Sequence, residues 1–217
     1  MEVIYAHTDG LLMTEITIWS ETKKGGKVPE NFDTETTSIN LSDKRIGKTD
    51  LDPLKEFTNL EILILSGNQL QQIDLTPVSN CTSLVEFSLG GNEIEQIDLS
   101  PLEACTNLGH LDLSFNKLTD IDLSPLGHCV NLKTLHLSDN NLENIRIVSL
   151  KKNKALRNLT LTNNPFDSVD ISYLFLLPNL VMFGIDPEVK LRATAKAKGR
   201  KNIPRPVQPL IENIEWI

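Results

Sequence analysis

The chain has 217 residues, 40% apolar and 23% charged, with a formal net charge of −8. This places it among soluble globular proteins of one domain or two small ones and excludes collagen-like, coiled-coil and disordered classes. No stretch approaches the ~20 apolar residues of a membrane helix, and the start, Met1-Glu-Val-Ile-Tyr-Ala-His7, lacks the basic and apolar parts of a signal peptide, so the expected compartment is the cytoplasm.

In chain order, residues 1–35 read as an N-terminal cap. Residues 3–6, Thr8-Asp9-Gly10 and residues 11–19 have the spacing of a hairpin, although Leu11, Leu12, Ile16 and Trp19 also fit one face of a helix. Residues 21–35, with Lys23-Lys-Gly-Gly-Lys27 and Pro29, read as a loop. From 36 to 186 a 24-residue unit recurs. Leu60…Leu63…Leu65…Asn68…Leu70 returns as Leu84…Phe87…Leu89…Asn92…Ile94 and as Leu108…Leu111…Leu113…Asn116…Leu118. Leu132…Leu135…Leu137…Asn140…Leu142 and Leu156…Leu159…Leu161…Asn164…Phe166 follow, before a truncated Leu180…Phe183…Ile185. Thr36…Ile39…Leu41…Lys44…Ile46 keeps the register without the Asn.

Each copy is physically legible. Alternation in L-x-L is the period-2 pattern of a short strand with one buried face. The Asn that follows is placed to satisfy backbone groups of adjacent coils that a bend leaves unpaired. The return segments, Ile73-Asp-Leu-Thr76-Pro77, Ile97-Asp-Leu-Ser100-Pro101 and Ile121-Asp-Leu-Ser124-Pro125, predict a helix of one or two turns with Ser or Thr as N-cap and Pro first inside. Val148-Ser149 and Ser172-Tyr173 lack the proline, which predicts looser or longer outer segments there. The column Asp50, Asp74, Asp98, Asp122, ending at Arg146, is read as carboxylates accepting backbone N–H bonds at these turns, in preference to calcium ligands. Cys81, Cys105 and Cys129 are read as free, core-packing thiols, replaced by Phe57 and Leu177 in flanking copies.

The L-x-x-L-x-L-x-x-N-x-L run resembles the leucine-rich-repeat family over about 150 residues. The resemblance implies an α/β class fold: a right-handed solenoid with a curved parallel sheet on the concave face and short helical turns on the convex face. It also implies a non-catalytic module that binds or scaffolds a protein partner, without identifying that partner. Asn163-Asn164-Pro165-Phe166 is similar to a closing repeat of the family. Residues 187–217 follow as a basic segment and C-terminal cap, non-periodic and kept extended by Pro204, Pro206 and Pro209 until residues 210–217 pack back.

In stacked parallel strands the residues between the leucines face outward, ~4.8 Å from their neighbours in the next coil. One outward column is Asn40, Ile64, Ser88, Asp112, His136, Thr160 and Gly184, and the other is Ser38, Ile62, Glu86, His110, Thr134, Asn158 and Met182. Glu86, His110, Asp112, Thr134, His136, Asp139 and Asn158 therefore form the expected partner-binding surface. A metal site there is disfavoured because an open sheet lacks a second layer of supporting groups. A His-Asp hydrolytic pair is disfavoured because no nucleophile is evidently activated. No catalytic residue, metal or cofactor is assigned, and a monomer is expected. Phe115 is nearly alone as an aromatic on the inner face, which suggests a polar interface.

Charge is unevenly distributed. Residues 59–132 hold ten acidic residues against Lys117, whereas 189–206 hold seven Lys or Arg and no acid. Nucleic acid is disfavoured as the main ligand by the overall balance. The rival to protein binding is an adaptor for a membrane surface or nucleic acid acting through residues 190–205. Against it stands a solvated tail, folded back on the acidic repeats.

Overall fold

The computed structural model describes residues 3–8, 11–200 and 202–217, with side chains from residue 15 onward except 201. Strands β1 (Val3–Thr8) and β2 (Leu11–Thr22) pair antiparallel, with Val3 opposite Ile16. Asp9 and Gly10, assigned to the turn from sequence, lie outside the described residues, as do the side chains of Leu11 and Leu12. The expected loop at 21–35 is corrected: only a tight turn separates β2 from a third strand, β3 (Lys27–Asp33), paired with it antiparallel. Charges masked its alternation, in which Val28, Glu30 and Phe32 form the half-buried face. Phe32 meets Phe57 of the first repeat edge to face at 6.4 Å. Pro29 is tolerated because β3 is an edge strand.

Next come β4 (Ser38–Asn40) and β5 (Ile46–Thr49); β5 joins the end of β2, so the cap sheet is hydrogen-bonded into the first repeat. The inner strands are β6 (Ile62–Ile64), β7 (Glu86–Ser88), β8 (His110–Asp112), β9 (Thr134–His136) and β10 (Asn158–Thr160). After β11 (Ser168–Asp170) comes β12 (Met182–Gly184), and the seven-stranded sheet runs β12-β10-β9-β8-β7-β6-β4. Every pairing is parallel and joins residues 24 apart. Ile39, Leu63, Phe87, Leu111, Leu135 and Leu159 thereby stack in one fully buried column, as alternation requires when one face is apolar.

The Asn column holds the bends. Asn116 Nδ2 donates to Leu89 O (3.0 Å) in the preceding coil and to Leu113 O (3.2 Å) in its own, while its Oδ1 accepts Ile94 N–H (3.0 Å). Asn68, Asn92, Asn140 and Asn164 repeat the pattern, and all five are buried.

The return segments are 3₁₀ turns of five residues at Asp52–Glu56, Thr76–Asn80, Ser100–Ala104 and Ser124–His128, of six at Ile147–Lys152 and of three at Leu174–Leu176. The expected Ser/Thr N-cap is corrected. Thr76, Ser100 and Ser124 are the first residues inside the turns, and no side-chain cap bond is made. Instead their N–H groups donate to Asp74 (2.8 Å), Asp98 (2.8 Å) and Asp122 (2.9 Å). Side-chain and backbone hydrogen bonds from those residues hold the three carboxyls below the usual range. Asp50 does the same for Asp52 N–H (3.0 Å), and the column skips Arg146 to resume at Asp170. Cys81, Cys105 and Cys129 are unpaired and buried, donating weakly to Leu54, Val78 and Leu102 carbonyls. Burial pushes their thiols up to about 11, 12 and 11. Asn153 occupies the same column in the next copy, donating to Leu126 O (2.8 Å) and Cys129 O (2.7 Å).

The C-terminal segment is not an extended, solvated tail on the acidic repeats. Strand β13 (Lys190–Ala193) lies between β11 and β14 (Ile214–Trp216) in a second parallel sheet, with α1 (Ala195–Lys198) and a 3₁₀ turn at Gln208–Asn213 between them. Leu191 and Ala193 are buried between Lys190 and Arg192, an alternation that the cations obscured, and Trp216 packs on Phe175 at 6.0 Å. Among the described residues no helix is long and apolar enough to cross a membrane.

Asn116→Ala should lower unfolding free energy by about 1–3 kcal/mol in urea melts, because Ile94 N–H loses its acceptor inside the coil. The carbonyls it serves keep a second asparagine, and a loss under about 0.5 kcal/mol would show that water replaces the ladder. A separate prediction concerns Glu93, which pairs with Lys23 of the cap and with Lys117 (2.9 Å). Hydrogen bonds from these two lysines lower its carboxyl from 4.5 to about 2. A depressed folded-state pKa stabilises above the unfolded value and is lost as pH falls between about 4.5 and 2. The difference in urea midpoint between wild type and Glu93→Gln should therefore shrink across that interval; a difference constant with pH would contradict the coupling.

Candidate functional site

The outward residues of β7, β8 and β9 form two columns. Glu86 lies beside His110 and His110 beside Thr134, while Ser88 lies beside Asp112 and Asp112 beside His136. A shallow depression of ≈ 250 Å³ opens there, lined by Glu86, Ser88, His110, Asp112, Thr134 and His136. The structure thus brings together five of the seven residues selected from sequence. Glu86 and His110 are exposed, Asp112 and His136 half-buried, and Thr134 is buried enough (8% exposed) to serve as floor. Asn158, half-buried, extends the Thr134 row onto β10. Asp139 sits beyond the strand at the bend and accepts from Asn163 Nδ2 (2.8 Å).

Asp112 and His136 are neighbours but do not bond to each other. Asp112 Oδ1 accepts from Ser114 N–H (2.9 Å) and Oγ–H (2.6 Å), and Oδ2 from Ser88 Oγ–H (3.4 Å); Ser88 is linked in turn to Ser66 (2.5 Å). His136 Nδ1 bonds Thr160 Oγ1 (2.9 Å) instead. The geometry therefore supplies fixed polar groups and no imidazole–carboxylate relay. Among the described residues no group of three His, Cys, Asp or Glu side chains is close enough to hold a metal ion. Gly90, which sequence reasoning missed, makes room for the carboxylate: a Cβ there would lie 2.6 Å from Asp112 Oδ2.

The second missed feature is the backbone conformation of Phe115. Asp43, Gly67, Gly91, Phe115, Asp139 and Asn163 form a column 24 residues apart, all with φ between +54° and +68°. The bend needs this left-handed conformation because each of the first five donates its N–H to a carbonyl of the next coil, as in Phe115 N to Ser138 O (3.0 Å). Gly, Asn and Asp tolerate it; a phenylalanine costs about 1–2 kcal/mol there. Its ring, 62% exposed beside Asp112 and Ser114 in sequence, recovers little by burial. The sequence signal was the aromatic interruption of a Gly-Gly-x-Asp-Asn column.

Known proteins give the same fold. The leucine rich repeat model matches residues 106–166, and the two-copy model matches 58–101 and 82–128, together spanning half of the chain. An internalin (inlF) from Listeria monocytogenes superposes with a TM-score of 0.54 at 25% identity, over 73% of this chain and 47% of its own. A leucine-rich-repeat protein of Leptospira interrogans does so at 0.58 and 19% identity, over 76% and 45%, a likeness of fold alone. The chain spans less than half the length of either. No curated protein matches it.

Phe115→Asn should raise stability by about 0.5–1 kcal/mol in urea melts, since Asn adopts φ near +54° with less strain. A loss of stability would mean that the ring is held by packing and not carried at a cost.

Proposed function

The chain belongs to the leucine-rich-repeat family, a family of protein-interaction modules, and from that premise we propose that it holds a protein partner on its concave face, as a cytoplasmic monomer. The observation that carries this reading is the depression over β7–β9, followed three residues after Asp112 by a strained, exposed aromatic, Phe115. A rigid sheet presents Glu86, His110, Asp112 and His136 without having to order them on binding, which reduces the entropic cost of association. Phe115 supplies the aromatic anchor that interface energetics favour, and strain is retained at a surface position where the fold gains nothing from it. Leucine-rich-repeat domains are typically non-catalytic. The cytoplasm is supported by three unpaired thiols, which demand no oxidising compartment.

An adaptor for membrane or nucleic acid through residues 190–205 draws less support. Lys190 is paired with Asp167 (3.0 Å) and Arg192 with Glu215 (3.3 Å), and Lys198 lies over the Trp216 ring at 5.5 Å.

The experiment is affinity capture from native lysate, read by mass spectrometry, with the wild type and Asp112→Asn/His136→Ala. Asn at 112 keeps an acceptor for Ser114 N–H while removing the charge. The expected result is loss of the partner with a melting temperature unchanged within about 2 °C. Capture that persists would move the interface off the concave face.

A further inference from the structure

The basic segment divides into cations used internally and cations left over. The left-over ones meet two from the repeats: Arg200 and Arg205 face Lys154 and Arg157 across a groove of ≈ 980 Å³ between the last coil and the C-terminal segment. Among the described residues no carboxylate lines this groove. Among the described residues, Arg157, Arg200 and Arg205 make no ion pair, and Lys154 donates only to Leu176 O (2.8 Å). In a chain of net charge −8, four cations converging without an acid concentrate positive potential at one end and steer an anionic visitor to it.

Beside Asn179, Asn202 and Gln208, the groove also has an apolar stretch. Val181, 67% exposed, lies in it with Leu180, Ile203 and Pro204. We propose that this groove binds an acidic peptide segment of a partner, whose carboxylates pair with Arg157, Arg200 and Arg205 while its apolar side chains cover Val181 and Ile203. Guanidinium forks suit carboxylates bidentately, and an exposed valine wall needs an apolar complement that a bare polyphosphate lacks. Cations on both sides of a groove suit a narrow ligand better than the plane of a membrane. The one aromatic of the lining, Phe175, is 3% exposed and offers no face for base stacking, which single-stranded nucleic acid would use.

The test is fluorescence anisotropy of the full chain with a fluorescein-labelled alternating Glu-Leu peptide. Comparators are the Gln-Leu peptide and competition by inorganic polyphosphate, phosphatidylserine vesicles or single-stranded RNA. The Glu-Leu peptide should bind, weaken with added salt, and lose affinity about tenfold or more with Arg157→Glu/Arg205→Glu. Arg157→Gln/Arg205→Gln should shift it in the same direction, circular dichroism showing both variants folded. Asp112→Asn/His136→Ala should leave it unchanged, separating this groove from the concave face. No binding, equal binding of the Gln-Leu peptide, undiminished affinity in the folded variants, or stronger competition by polyphosphate, vesicles or RNA would each overturn the proposal.

Discussion

A bend repeated every 24 residues leaves backbone N–H and C=O groups that no strand or helix can satisfy, and one asparagine per coil satisfies them. Its amide bridges two coils: Oδ1 takes an N–H from the preceding coil, and Nδ2 serves carbonyls in that coil and in its own. A coil slipped by one residue would lose these bonds and turn its leucines outward. Register is thus a matter of buried hydrogen bonding as well as hydrophobic burial. The Asp column performs a lesser version on the other side, where each carboxylate accepts the N–H of the first residue of a turn.

Fixed register is what gives the molecule usable surfaces. With Leu111 and Leu113 fully buried, Asp112 between them can only face outward, and Gly90 beside it leaves space for its carboxylate. The same stiffness lets a phenylalanine occupy a left-handed position without the coil adjusting to it. It also separates charge along the solenoid, with carboxylates over the middle repeats and the guanidiniums of Arg157, Arg200 and Arg205 at the far end, so that the two proposed surfaces attract different chemistry.

Much of this was legible because repetition turns sequence spacing into spatial adjacency: residues 24 apart are partners in the sheet, so the neighbours of His110 could be written down before any coordinates. What escaped has specific physical causes. β3 carries Pro29 and charges on its exposed face, and β13 alternates cations with Leu191 and Ala193, so composition hid the strands. The hydroxyls before the prolines have the right identity for caps, yet each sits one position inside its turn, where its own N–H is taken by the aspartate two residues earlier. The strain at Phe115 is a backbone angle, visible only by comparing it with Gly91 and Asn163 in its column. The convergence of Arg157 with Arg205 depends on how a non-repeating segment folds, and periodicity is silent there.

Amide hydrogen exchange followed by NMR tests the ladder most directly. The N–H groups of Ile46, Leu70, Ile94, Leu118 and Leu142, which the five asparagine side chains accept, lie outside the pairing of the inner strands. They should exchange as slowly as Leu111 and Leu135 at the centre of the sheet, opening only with global unfolding. Exchange at the rate of surface loops in those five amides, with the strands still protected, would contradict the view that asparagine bonding sets the register.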